Sequence, residues 1–146
     1  MRKHLDMLLN AIWQSIVYGI LLNLLISIIV SISTSGLVGL IFFVPLSFIV
    51  GLTSAFINPL LLLSLAESSF LCSCNRTLNK FVFTFIGAAF GAIFGAIIMF
   101  SFVEDDKMLD GMANTLTQAS SLIAAVSYGI TNYKFACWHQ SKYISS

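Results

Sequence analysis

Charge is scarce in this sequence, and its placement is narrower still. Of 146 residues, seven are Lys or Arg and six are Asp or Glu, 9% of the chain, where soluble proteins carry roughly 25%. Residues 7–66, 81–103 and 111–133 contain none of them. Proton relays and coupled transporters rest on ionisable groups inside membrane spans, so this absence argues against a proton-driven pump. Seven basic residues spread along the chain give no electrostatic footprint for nucleic acid. A P-loop, a zinc-protease helix and a set of nucleophile, base and orienter are all missing. No enzymatic activity and no cofactor are expected.

What fills the charge-free runs is apolar: 58% of the chain is hydrophobic. A helix needs about 20 residues to cross a hydrocarbon core of roughly 30 Å. The runs 81–103 and 111–133 each allow one crossing. The run 7–66 allows two, and Ser33-Thr34-Ser35-Gly36 is its only polar, turn-forming interruption. Four spans are therefore expected near 11–33, 38–65, 81–103 and 112–131. Barrel strands alternate apolar and polar residues, and these runs do not. The expected fold is all-α, an integral membrane protein whose four transmembrane helices form one compact bundle over residues 1–146.

Orientation follows from the Lys and Arg count in short connections. Arg2, Lys3, Arg76, Lys80, Lys134 and Lys142 fall on one side of the spans and Lys107 alone on the other. Both termini are expected in the cytoplasm, with the chain in the cell (inner) membrane. Trp13, Tyr18, Tyr128, Tyr133, Trp138 and Tyr143 fall toward the same side, as an aromatic belt would. Arg2-Lys3 followed by an apolar run could also begin a cleaved signal peptide, but the run is longer than an h-region of about 7–15 residues. It reads better as an anchor.

Helices in lipid associate through close packing and interhelical hydrogen bonds, which makes small residues informative. The third span has Gly87, Gly91 and Gly95 at every fourth position, each followed by Ala88, Ala92 or Ala96. At about 100° per residue these six cover about half the helix circumference. Ala11, Ser15, Gly19, Asn23, Ser27, Ser31 and Ser35 form an unbroken series at spacing four in the first span. Ala113, Thr117, Ser121, Ala125 and Gly129 form another in the fourth, and Ser47, Gly51 and Ala55 a shorter one in the second. A spacing of four drifts about 40° per step, so no straight partner is expected to follow the whole first series. These stripes pack the helices of one chain together, or also form a homo-oligomer or bind another membrane protein.

Three constellations have chemical content. Asn23 sits mid-span, either as interhelical glue or on a solute path. Pro45 and Asn58-Pro59 interrupt the second span, where each proline deprives a carbonyl, Ile41 or Ala55, of its donor and predicts a kink; broken helices can build ion or substrate sites. Cys72, Cys74, Cys137 and His139 have zinc-ligand chemistry. Structural zinc sites usually separate paired cysteines by two to four residues, however, and on a helix Cys72 and Cys74 would point about 200° apart. No metal site is assigned to them. Glu104-Asp105-Asp106-Lys107 reads as a solvated run and Asp110 as an N-cap before the fourth span.

Beside a thiol or metal enzyme using Cys72, Cys74, Cys137 and His139, against which the ligand spacing argues, two functions remain open. One is a non-enzymatic multi-pass membrane protein acting through helix–helix contacts, as an assembly factor, accessory subunit or immunity-type protein. The alternative is a passive channel or small-solute transporter using Asn23, the interrupted second span and the polar fourth span with Asn114, Thr115, Thr117, Gln118, Ser120 and Ser121. The partners in both are the lipid bilayer and other membrane helices.

Overall fold

A computed structural model describes residues 2–34, 36–68, 76–103 and 113–143, and all regular structure among them is helical. Four rods result. The first, α1, joins Arg2–Gln14, a π-helical segment Ser15–Leu21 and Leu22–Thr34. The others are α2 (Gly36–Glu67), α3 (Arg76–Val103) and α4 (Ala113–Tyr143). Helix α1 ends at Thr34 and α2 begins at Gly36, both within the polar interruption at 33–36. Helix α2 continues through Pro45 and Pro59 as one element of 32 residues.

Stretches of three rods, Arg2–Ser33, Phe43–Glu67 and Thr77–Ser101, are long and apolar enough to cross a membrane. Helix α4 is as long, at 31 residues, but Ser, Thr and Asn recur along it. Its polarity has a structural counterpart. Ser120, Ser127, Thr131 and Asn132 are all buried, so these four of the residues that lower its apolarity face protein, while Thr115, Gln118 and Lys134 are exposed.

Each rod packs against the next, and α4 closes back onto α1, which leaves α1 and α3 on opposite corners; α2 and α4 also touch. The α3–α4 contact is the most extensive. Neighbours run antiparallel: Ser15 pairs with Asn58 and Asn23 with Ser47 across α1 and α2. Gly87, Gly91 and Gly95 lie against Asn132, Ala124 and Ser120 in turn across α3 and α4.

The interior has three layers along the bundle axis. At the end carrying the start of α1 and the end of α4, Met7, Ala11, Leu62, Ala66, Phe83, Phe135 and Ala136 form an apolar cluster. At the far end Phe43, Met99 and Ile123 form another, with Ile26, Val30, Leu46, Leu116 and Ala119 packed against it. Between them lies a polar layer.

The π-helical segment changes how α1 uses its small residues. The expected drift would turn the spacing-four series away from any one neighbour, yet Ala11, Ser15, Asn23, Ser27 and Ser31 are at most 2% exposed and Gly19 is buried too. In a π-helix the i→i+5 bonds close a wider turn than the α-helical one. Around Ser15–Leu21 four residues therefore no longer overshoot a turn. The drift is interrupted mid-rod, and the series stays on the inward face.

Candidate functional site

The polar layer is the site the sequence did not assemble. From α1 it takes Ser15, Asn23 and Ser27, from α2 Ser47, Ser54 and Asn58, and from α4 Ser127, Tyr128, Thr131 and Asn132, all at most 1% exposed. Such groups are tolerated in an apolar setting only when hydrogen-bonded. Several hydroxyls meet this demand locally by donating one turn back along their own helix: Ser27 to Asn23 O (2.7 Å), Ser54 to Val50 O (2.6 Å), Ser127 to Ile123 O (2.9 Å) and Thr131 to Ser127 O (2.8 Å).

Three other donors of the layer reach across helices. Asn23 Nδ2 donates to Ser47 O at 2.7 Å and Asn58 Nδ2 to the Ser15 hydroxyl at 3.0 Å, both joining α1 to α2. Tyr128 OH donates to Gly51 O at 2.7 Å and joins α4 to α2. Outside the layer, the half-buried Ser121 Oγ donates to Ala92 O at 2.9 Å and joins α4 to α3.

Close backbone approach makes these bonds reachable. A Cβ at Gly19 would stand 3.0 Å from the Tyr128 ring and hydroxyl, and one at Gly51 3.4 Å from Asn23 Nδ2. Both glycines clear the ground for the side chain that bonds beside them. Phe90 meets the Tyr128 ring edge-on, with centroids 5.8 Å apart. Tyr128 thus belongs to the bundle interior and not to the aromatic belt that its position in the sequence suggests, because its hydroxyl finds the Gly51 carbonyl there and Gly19 gives its ring room.

Some polar atoms stay unsatisfied. Asn23 Oδ1, Asn58 Oδ1, Ser31 Oγ, Ser47 Oγ and both amide atoms of Asn132 are buried with no hydrogen-bond partner among the described residues. Asn132 lies directly on Gly87, where a Cβ would approach its amide to 2.6 Å. Neither Asn132 nor Tyr128 stands out by a sequence motif; both become visible only once α3 and α4 are docked.

The other expected site residues distribute as follows. Gly87, Gly91 and Gly95 are buried against the α4 backbone, and Ala88, Ala92 and Ala96 beside them are half-buried. Ala88 meets Gly129 and Ala92 accepts from Ser121, while Ala125 N lies close to Gly91. Pro45 is exposed and Pro59 buried. Cys72, Cys74, the run 104–107 and Asp110 lie outside the described residues. Cys137 is a half-buried free thiol. The buried His139 stacks on Phe135 at 6.1 Å and meets Tyr143 at 5.4 Å, and a spacing of two on one helix turns it about 200° from Cys137. Burial, helped by the nearby charge of Lys3, holds the His139 imidazole below its ordinary pKa.

At the terminal end two polar pairs tie the rods together. His4 Nδ1 meets Glu67 Oε1 at 2.8 Å between α1 and α2, and Lys142 Nζ donates to Asp6 Oδ2 at 3.1 Å between α4 and α1. No protein-family model, curated protein or solved structure matches the chain.

Proposed function

We propose that this chain is a non-enzymatic four-span membrane protein with both termini in the cytoplasm, acting through contacts between helices in the manner of an assembly factor, accessory subunit or immunity-type protein. The observation that carries the reading is where its buried polar groups point. Asn23, Asn58 and Tyr128 each bond from one helix to another, in a layer sealed by an apolar cluster at either end. Such a layer works as a clasp. It holds the rods in one arrangement and presents fixed apolar outer faces, such as Phe81, Phe85, Ile93, Ile97 and Phe100 on α3, each more than half exposed. Because the α3 glycines already face α4, a partner or second copy would use this outer face.

The fourth crossing is supported by the docking of α4. It lies antiparallel along α3 from Phe135 opposite Phe83 to Ser120 opposite Gly95, so a slab thick enough for α3 also takes in α4. Six cytoplasmic basic residues against one outside support the orientation. Purification in mild detergent tests the functional reading: a stoichiometric membrane partner supports it, and a clean, partnerless monomer refutes it.

A second reading, a passive channel or small-solute transporter, is favoured by the unpartnered amide atoms of Asn23, Asn58 and Asn132. Orphaned polar groups are costly at membrane depth, and a hydrogen-bonding solute would satisfy them. Solute flux in liposomes that is lost in Asn23→Leu supports this alternative; no flux across a broad panel removes it.

A further inference from the structure

The terminal end of the bundle carries a groove of about 290 Å³ lined by Asp6, Leu9, Asn10, Trp13, Trp138 and Lys142. It lies between α1 and α4, away from the polar layer, and contains both tryptophans of the chain. We propose that this groove binds the headgroup of an aminophospholipid, with the primary ammonium on Asp6 and Asn10 and the phosphate on Lys142. The proposal rests on the membrane reading above, which sets this end of the bundle at the cytoplasmic headgroup layer.

Each part of the headgroup finds a complement. Asp6 supplies a carboxylate for the ammonium. Asn10 Oδ1 is buried without a hydrogen-bond partner among the described residues, so a cation that brings N–H donors satisfies it, whereas a quaternary ammonium brings none. Lys142 holds Asp6 at 3.1 Å, but both side chains are more than 40% exposed. Exposed pairs of this kind are weak and open at little cost. Lys142 can then exchange the carboxylate for a phosphate as the ammonium takes its place on Asp6.

Lys142 Nζ already lies 5.3 Å over the Trp138 ring, and Lys3 Nζ 4.9 Å over that of Tyr143. The Trp138 ring thus holds one positive charge within the groove, and Tyr143, edge-on to Trp138, holds a second beside it. On the outward side Leu9 and Trp13 are 58% and 63% exposed, an apolar wall for the start of an acyl chain with an indole at the depth such rings favour. An anionic headgroup without an amine would meet Asp6 unfavourably.

Because Trp13 and Trp138 are the only tryptophans, all indole emission reports this groove. The full chain is reconstituted in phosphatidylcholine bilayers containing a minor fraction of acyl-brominated lipid with an ethanolamine, choline or glycerol headgroup. Quenching several-fold stronger by the ethanolamine lipid than by the choline lipid at equal mole fraction is expected, falling to the choline level in Asn10→Leu and in Asp6→Asn. Equal quenching by the two, or strongest quenching by the glycerol lipid, overturns the proposal. The comparison among lipids uses the wild-type chain, so it stands whether or not a variant folds. No quenching by any brominated lipid overturns the membrane reading itself. Free phosphoethanolamine that abolishes the preference shows that the soluble headgroup suffices, and a preference that survives it assigns the site to bilayer lipid; either result supports the ammonium–phosphate chemistry.

Discussion

Gly91→Ala and Gly129→Ala add the same methyl group to the α3–α4 contact, and the two are expected to move stability in opposite directions. At Gly91 the added Cβ would lie 2.6 Å from the Ala124 carbonyl carbon, closer still to its oxygen, and 3.0 Å from Ala125 N. These are backbone atoms of a helix and cannot rotate away. Ordinary carbon contacts lie at about 3.5–4.0 Å, so α3 and α4 would have to part by about 1 Å along their tightest stretch. Overpacking of this kind costs about 1–3 kcal/mol, against a gain of about 0.4–1 kcal/mol from restricting the unfolded chain. Contacts this short with helix backbone put the cost in the upper half of that range, so a net loss of about 1–2.5 kcal/mol is expected. At Gly129 the nearest atoms are Ala88 Cβ at 3.5 Å and Thr84 O at 3.6 Å, which is ordinary contact. Only the gain remains there, about 0.4–1 kcal/mol. Equilibrium unfolding in mixed micelles, followed by far-UV circular dichroism, measures both. Equal stability of Gly91→Ala and wild type, or shifts of the same sign in the two variants, would refute the close α3–α4 approach.

Two further predictions concern the polar groups. Tyr128→Phe removes the bond to Gly51 O in a buried setting and is expected to cost about 1–3 kcal/mol, measurable by the same unfolding titration; no loss would mean the bond does not pin α4 to α2. His139 is held neutral by burial and by Lys3, below its ordinary value of 6.5, so the unfolded chain takes up its proton more readily than the folded one. Its contribution is present above about pH 6.5 and lost as pH falls below it, since stability rises with pH where the unfolded state binds more protons. The stability of the wild type relative to His139→Phe should therefore fall on going from about pH 7 to about pH 5, and a difference independent of pH would contradict it.

How far the sequence could be read depends on the kind of signal. Charge-free runs and the Ser33–Gly36 interruption mark the rods because burying charge in an apolar medium is costly wherever it occurs along a chain. Helix α4 was legible as a helix, but the burial of part of its polar face was not, since Ser120, Ser127, Thr131 and Asn132 look the same in one dimension whether they face lipid or protein. The π-helical segment leaves no such trace. It is a shift in backbone bonding, and only the burial of every small residue from Ala11 to Ser31 shows its effect on α1. Tyr128 was misread because its place near the end of a span suggests an interfacial ring, whereas Gly19 and Gly51, distant in sequence, together make its berth. Asn58 was visible as part of an Asn-Pro interruption, but its partner Ser15 is 43 positions away, and pairing at that separation follows from register between helices.

The central claim is that four spans return both termini to the cytoplasm, and cysteine accessibility tests it most directly. In a chain with its native cysteines replaced, Lys107→Cys and Ser141→Cys are probed separately with a membrane-impermeant maleimide on intact cells. The account predicts labelling at position 107 from outside and labelling at position 141 only after permeabilisation. Labelling of position 141 in intact cells would place the end of α4 outside, leave three crossings, and contradict it.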